Sequence, residues 1–123
     1  MPAFEIIFLG TCACDFSPRL KTDLQGRFDK DVRRSSSVLL DGCRLVDCGP
    51  HTLNSLGIIG KQLPEITDIF LTHLHDDHFD ANNIAEIAKA KQSPLRLWVR
   101  ADAEIPLIEN TKVMRMDIGC IYD

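Results

Sequence analysis

The stretch "LTHLHDDHFD", residues 71–80, decides how this chain is read. It holds three of the four histidines, with two aspartates between the second and third. It leaves "TDIFLT", a short apolar run rich in strand formers. Side chains alternate faces in an extended segment, so His73 and His75 are expected to project to the same side. Two imidazoles on one side can grip one ion. Asp77 and His78 are adjacent and converge only through a turn, where they would serve a second ion beside the first. Imidazole with carboxylate suits zinc, and manganese, iron and nickel remain open. A lone histidine would read as a surface residue. Three with an aspartate in this register, straight after a strand, read as metal ligands.

Upstream, "SSVLLDGCRLVDCG" has the pattern of a hairpin. One strand covers about Ser36–Leu40, the turn is Asp41-Gly42, and the return strand is about Cys43–Asp47. Asp47 closes that return strand before a glycine. A carboxylate there can sit under a metal site, orienting a ligand or bonding the loop backbone, or it can simply form the turn. The spacing leaves both readings open. "PHTLNSLGIIG" follows as a helix opened by Pro50, with Leu53, Leu56 and Ile59 at helical spacing and Gly57 weakening it. His51 reads as a helix-start or surface histidine rather than a ligand.

"FEIIFLG", Phe4–Gly10, reads as a buried strand. Residues 11–34 carry Pro18, Gly26 and dense charge without periodicity, which predicts a long loop of the kind that often serves function. At its end, "RRSSS" offers guanidinium and hydroxyl donors from Arg33, Arg34, Ser35 and Ser36 to a phosphate. The plainer reading is a solvated basic loop entering a strand.

Downstream, "DANNIAEIAKAKQ" predicts a helix with Ile84, Ile87 and Ala88 on one face and Asp80 or Asn82 near its start. "LRLWVR" reads as a strand, with Trp98 in the core rather than a stacking platform. "DAEIPLIEN" suggests a short helix disturbed by Pro106, and "TKVMRMDIG" a last strand.

The 123 residues suggest one domain or part of one. With 45% hydrophobic and 26% charged residues the chain is globular rather than disordered. A net charge of -4 argues against broad nonspecific nucleic-acid binding. Residues 19–34 are the local exception, where Arg19, Lys21, Arg27, Lys30, Arg33 and Arg34 outnumber Asp23, Asp29 and Asp31. Five cysteines form no CxxC pair and no disulfide framework. They read as free thiols in a reducing cytoplasm. The N-terminus lacks the pattern of a secretory signal, and no apolar run approaches a membrane span, so no membrane partner is expected.

"THLHDDH" resembles the HxHxDH signature of the metallo-β-lactamase superfamily, and "LVDCG" resembles that superfamily's preceding aspartate motif. "FLGTCACDFSP" with "RRSSSVLLDG" is similar to the ribonuclease Z and cyclic-phosphate phosphodiesterase branch. The resemblance covers about residues 4–80. It implies an α/β fold, the αβ/βα sandwich of two face-to-face sheets with outer helices, of which residues 1–123 would form the N-terminal part: one mixed sheet with flanking helices. It also implies a binuclear zinc site. By matching positions, His73 and His75 would bind one metal and Asp77 and His78 the other, with Asp77 also a catalytic residue and Asp47 supporting from behind. The nucleophile would be a hydroxide shared by the metals.

Two departures stand out. The family fold is much longer, and its remaining ligands lie downstream, whereas no histidine follows His78. A truncated product or fragment is therefore the expectation. Asp76 also stands where ribonuclease Z-like sequences usually carry glycine, which weakens a specific assignment to tRNA processing. The leading expectation is a metal-dependent hydrolase of phosphodiesters, acting on a small molecule or RNA. A thioester or lactone hydrolase is the enzymatic alternative. The β-lactam version loses weight without secretion, and iron redox relatives tend to carry glutamate where His75 stands. A non-catalytic metal-binding or interaction remnant is the third reading. Truncation would expose apolar surface and favour homo-oligomers.

Overall fold

A computed structural model describes residues 3–12, 28 and 33–122. The expected loop at 11–34 therefore falls largely outside the described residues. Six strands form one sheet in the order of the chain: β1 (Ile6–Gly10), β2 (Ser37–Leu40), β3 (Arg44–Val46), β4 (Asp68–Phe70), β5 (Leu95–Arg100) and β6 (Thr111–Met116). The first three pair antiparallel and the last four pair parallel. The sheet is thus mixed, as the resemblance implied.

The β2–β3 hairpin turns where Asp41 and Gly42 both take positive φ, 47° and 70°. Two such residues give the turn whose twist matches the flanking strands. Helix α1 (Thr52–Ile58) connects β3 to β4, and helix α2 (Ala81–Lys89) connects β4 to β5. Parallel neighbours need such crossovers. A 3-10 turn at Leu63–Glu65, closed by reciprocal bonds between Gln62 and Glu65, precedes β4. Asp80 caps α2, its carboxylate accepting from the Asn83 N–H at 3.0 Å.

Register places one residue of every strand in a row. Ile7, Leu39, Leu45, Ile69, Leu97 and Val113 pair in succession. The middle four are fully buried and join Leu56 of α1 and Ile84, Ile87 and Ala88 of α2 in one core. Each buried leucine or isoleucine among them contributes about 1.5–3 kcal/mol of hydrophobic stabilisation. Both helices therefore cover the same face.

The next row, on the opposite face, is Phe8, Val38, Val46, Phe70, Trp98 and Met114. Phe8 is 68% exposed, and Trp98 is half-buried, stacked on Phe70 at 5.6 Å between centroids. Trp98 was expected in the core. It lies instead on the uncovered face, because alternation places a residue on a face without saying which face is covered. Beside this row runs a charged one, Arg44, Asp68, Arg96 and Lys112. Asp68 accepts from Arg96 Nε at 2.6 Å, Arg96 Nη2 at 2.8 Å, Trp98 Nε1 at 2.9 Å and Thr67 Oγ1 at 2.6 Å. The Arg96 bonds, above all, hold its carboxyl well below the usual carboxylate range.

The short helix expected at 102–110 does not form. Pro106 lacks an N–H and biases Ile105 away from helical backbone. Arg115 Nη1 instead donates to the carbonyls of Ala101 and Ala103 at 3.1 and 2.8 Å, and the segment runs to β6 without a helix. No helix among the described residues is long and apolar enough to cross a membrane.

Candidate metal centre

The histidine loop leaves the C-terminal end of β4, the edge of a parallel sheet where ligands characteristically bind. Its shape comes from a turn in which the His75 carbonyl accepts from the N–H groups of His78 and Phe79, both at 2.9 Å. A second anchor is the segment after β3. Cys48 N–H donates to the His78 carbonyl at 2.9 Å, and Asp80 N–H donates to the Cys48 carbonyl at 2.8 Å. Asn83 of α2 donates to the Gly49 and Pro50 carbonyls at 3.0 and 3.3 Å. The two segments run so close that a Cβ on Gly49 would lie 2.2 Å from the Asp77 carbonyl oxygen. Only glycine permits that approach.

Within this frame one donor atom from each of His73, Asp77 and His78 falls within 4.8 Å of the others. The His73 and His78 rings are 4.1 Å apart between centroids. The sequence pattern paired His73 with His75 and Asp77 with His78. In the structure His73 gathers with Asp77 and His78, because the 75–79 turn folds that pair back. The His75 ring lies 4.7 Å from the His73 ring, nearly perpendicular, but outside the tight group. Asp77 is buried, His78 is half-buried, and His73, His75 and Asp76 are exposed.

Asp47 sits beneath the loop, 3% exposed. Its φ of 63° is left-handed, a strained state for a non-glycine residue that costs on the order of 1–3 kcal/mol. Neighbouring bonds hold it there: its N–H donates to the Phe70 carbonyl, and its carbonyl accepts from Ser37 Oγ. The carboxylate accepts from Thr72 N–H at 2.8 Å and from the Thr72 hydroxyl, and Oδ2 stands 2.6 Å from His78 Nδ1. With Nδ1 engaged, His78 presents Nε2, which is 3.1 Å from Asp77 Oδ2. Asp47 thus bonds the loop backbone at Thr72 and contacts the His78 ring. Two imidazoles and a carboxylate, one imidazole held from behind by a second carboxylate, make a donor set that fits zinc.

The "RRSSS" residues divide. Arg33 is exposed, its Nη2 donating to the Thr11 carbonyl. Arg34 is buried, its Nη1 bonded to Asn54 Oδ1 and Ser55 Oγ. Burial lowers its pKa. The Ser35 N–H donates to His51 Nδ1 at 2.7 Å, and its Oγ accepts from the His51 N–H. Ser36 is half-buried. Arg34 and Ser35 thus tie the β2 entrance to α1, and the solvated-loop reading applies to neither. His51 precedes α1 as expected but is fully buried rather than on the surface. Its role was missed because its partner lies sixteen residues away. Among the described cysteines Cys43, Cys48 and Cys120 are free thiols. Burial, first of all, raises the Cys48 pKa far above the ordinary thiol value, so it stays protonated.

A six-stranded mixed sheet with a histidine–aspartate cluster at the C-terminal edge of its parallel strands defines an α/β protein built around a candidate metal loop. The sequence model of the Metallo-beta-lactamase superfamily matches residues 31–96. The chain belongs to that superfamily. It is similar to an N-terminal portion of the ribonuclease Z-like branch. It is 38% identical over 80 residues to the human Zinc phosphodiesterase ELAC protein 1, a match covering 63% of this chain and 18% of that protein. It is 31% identical over 93 residues to the Anti-Pycsar protein Apyc1 of Paenibacillus sp. (strain J14), covering 70% of this chain and 37% of the relative. The crystal structure of human tRNase Z, short form, superposes with a TM-score of 0.58 at 30% identity, over 79% of this chain and 35% of that one. The metallo-beta-lactamase fold protein YhfI from Bacillus subtilis superposes at 0.68 with 18% identity, over 93% of this chain and 47% of that one, which bears on the fold alone. The chain thus spans less than half the length of each.

Proposed function

We propose that this chain carries the metal-binding part of a zinc-dependent phosphodiesterase. The observation that supports it most is the gathering of His73, Asp77 and His78 within 4.8 Å, with His78 oriented by Asp47. Bound cations would acidify a water and neutralise charge on phosphoryl oxygens. The residues do the positioning. Asp47 holds the His78 ring, His73 and Asp77 complete a three-donor set, and His75 stands beside His73 for a second ion. Asp77 would serve as a ligand and, by the resemblance, as a catalytic carboxylate. Three donors leave a zinc with one open position. The names of the curated relatives favour zinc and phosphodiesters.

A cleft of about 390 Å³ adjoins the cluster, lined by Leu71, His73, Leu74, Val99, Arg100 and Glu104. It offers room for the group flanking a phosphodiester, either a small molecule or an RNA end. Of the "RRSSS" set, Arg33 is exposed and Ser36 half-buried, which keeps them as candidates for a phosphate contact. A larger groove of about 600 Å³ between α2 and residues 106–110 includes none of these residues.

Elemental analysis of the purified chain, and assays with bis-p-nitrophenyl phosphate, a thioester and a lactone on a version completed with the family's downstream ligands, test the reading. Weakly bound zinc in the chain as given and phosphodiester turnover by the completed version are the expected results. Thioester or lactone cleavage without phosphodiester cleavage moves the assignment to the alternative substrate class. Zinc without any turnover favours a metal-binding remnant.

A further inference from the structure

Thr72 immediately precedes His73, and its hydroxyl touches two groups at once. Oγ1 lies 2.7 Å from Asp47 Oδ2 and 2.9 Å from Asp47 Oδ1, and 3.1 Å from His73 Nδ1. A hydroxyl has one proton and two lone pairs. Both Asp47 carboxyl oxygens lie within accepting distance of that hydroxyl, so the Thr72 proton points to Asp47. The oxygen then has only lone pairs for His73, and His73 Nδ1 must carry the proton. The opposite arrangement, Thr72 donating to His73, would leave its oxygen against two carboxylate oxygens with no proton between them.

We propose that Thr72 is a positioning residue that holds His73 in the Nδ1–H tautomer, leaving Nε2 as its metal donor. Asp47 then governs two histidines of the cluster, His78 by direct contact and His73 through the Thr72 hydroxyl. The same carboxylate also accepts from the Thr72 N–H at 2.8 Å, so the relay is fixed at its base. A histidine whose far nitrogen is bonded is a better-oriented and more basic ligand, and loss of such a partner weakens metal binding about tenfold to a hundredfold. The consequence for metal binding rests on the metal reading of this loop. The tautomer does not, because every atom in the relay belongs to the chain.

The test uses long-range proton–nitrogen spectra of the histidine rings in the metal-free chain at about pH 8, where an ordinary imidazole is neutral. A parallel zinc titration against a chromophoric chelator measures affinity. Wild type is expected to show His73 protonated at Nδ1. Thr72→Ser, which keeps the hydroxyl, should retain that tautomer and the wild-type affinity. Thr72→Val should lose the tautomer preference and bind zinc at least tenfold more weakly. Wild-type His73 protonated at Nε2 would overturn the proposal even if Thr72→Val failed to fold. So would a Thr72→Val protein with unchanged tautomer, since a merely structural threonine would cost stability alone. If wild type takes up no zinc yet shows the Nδ1–H form, the metal reading fails and the tautomer assignment is upheld.

Discussion

Asp47 Oδ2 lies 2.6 Å from His78 Nδ1, joining the end of the β3 strand to a loop thirty-one residues later. The contact aligns Nε2 of His78 with Asp77. Replacing Asp47 with alanine removes the acceptor for His78, for the Thr72 hydroxyl and for the Thr72 N–H together. Zinc affinity should fall at least tenfold. The fold should lose about 1.5–3 kcal/mol, the range for losing hydrogen bonds to a charged acceptor. Chelator competition and urea unfolding measure the two effects. Unchanged zinc affinity in a folded Asp47→Ala protein would remove Asp47 from the site.

Gly49→Ala tests the close approach of the two segments. The added methyl would meet the Asp77 carbonyl oxygen at 2.2 Å and Ser35 Oγ at 2.9 Å. Both segments are anchored, so one must shift, at a cost of about 1–3 kcal/mol. Asp77 would move with its carbonyl, and metal binding should weaken along with the melting temperature. A variant that keeps both would show that the loop adjusts freely.

Asp68 predicts an acid-labile sheet. Its folded pKa is depressed, chiefly by the Arg96 hydrogen bonds. The unfolded chain therefore binds its proton first as pH falls. The stability contributed is fully present above the ordinary aspartate value of about 4 and is lost as pH falls below it toward the folded value. Asp68→Asn should lower stability at neutral pH, on the order of 1–3 kcal/mol, and flatten the dependence between about pH 4 and 2. Urea unfolding across that range measures it, and an unaltered acid slope in the variant would place the acid sensitivity elsewhere.

The row Phe8, Val38, Val46, Phe70, Trp98 and Met114, on the sheet face away from both helices with Phe8 exposed and the rest half-buried, predicts self-association. A six-strand face spans on the order of 500 Å² before side-chain relief is counted. That approaches the roughly 800 Å² per partner of a stable interface. A second copy stacked sheet to sheet would bury both rows. Light scattering should find a species heavier than 13.8 kDa. Phe8→Glu with Met114→Glu should return it to monomer with unchanged circular dichroism. A wild-type monomer at tens of micromolar would dismiss this face as an interface between copies.

The local elements were legible because their causes are local. Asp41-Gly42 supplies the left-handed turn of the hairpin, Asp80 caps α2, and Ile84, Ile87 and Ala88 form the buried stripe that helical spacing predicts. The histidine cluster's register after β4 marked the candidate metal loop in the same way. The donor grouping was not legible, because the 75–79 turn and its anchors at Cys48 and Gly49 fold Asp77 and His78 onto His73. Nor was the burial of Arg34, Ser35 and His51, whose partners include one another and α1. Trp98 shows the same division. Its strand and alternation followed from "LRLWVR", but both helices cross on the other face, and the packing of those helices decided that it faces outward. Periodicity and turn chemistry act between neighbours in the chain, so sequence alone specifies them. Which polar groups meet, and which sheet face is covered, depend on contacts between distant segments, so only the tertiary structure decides them.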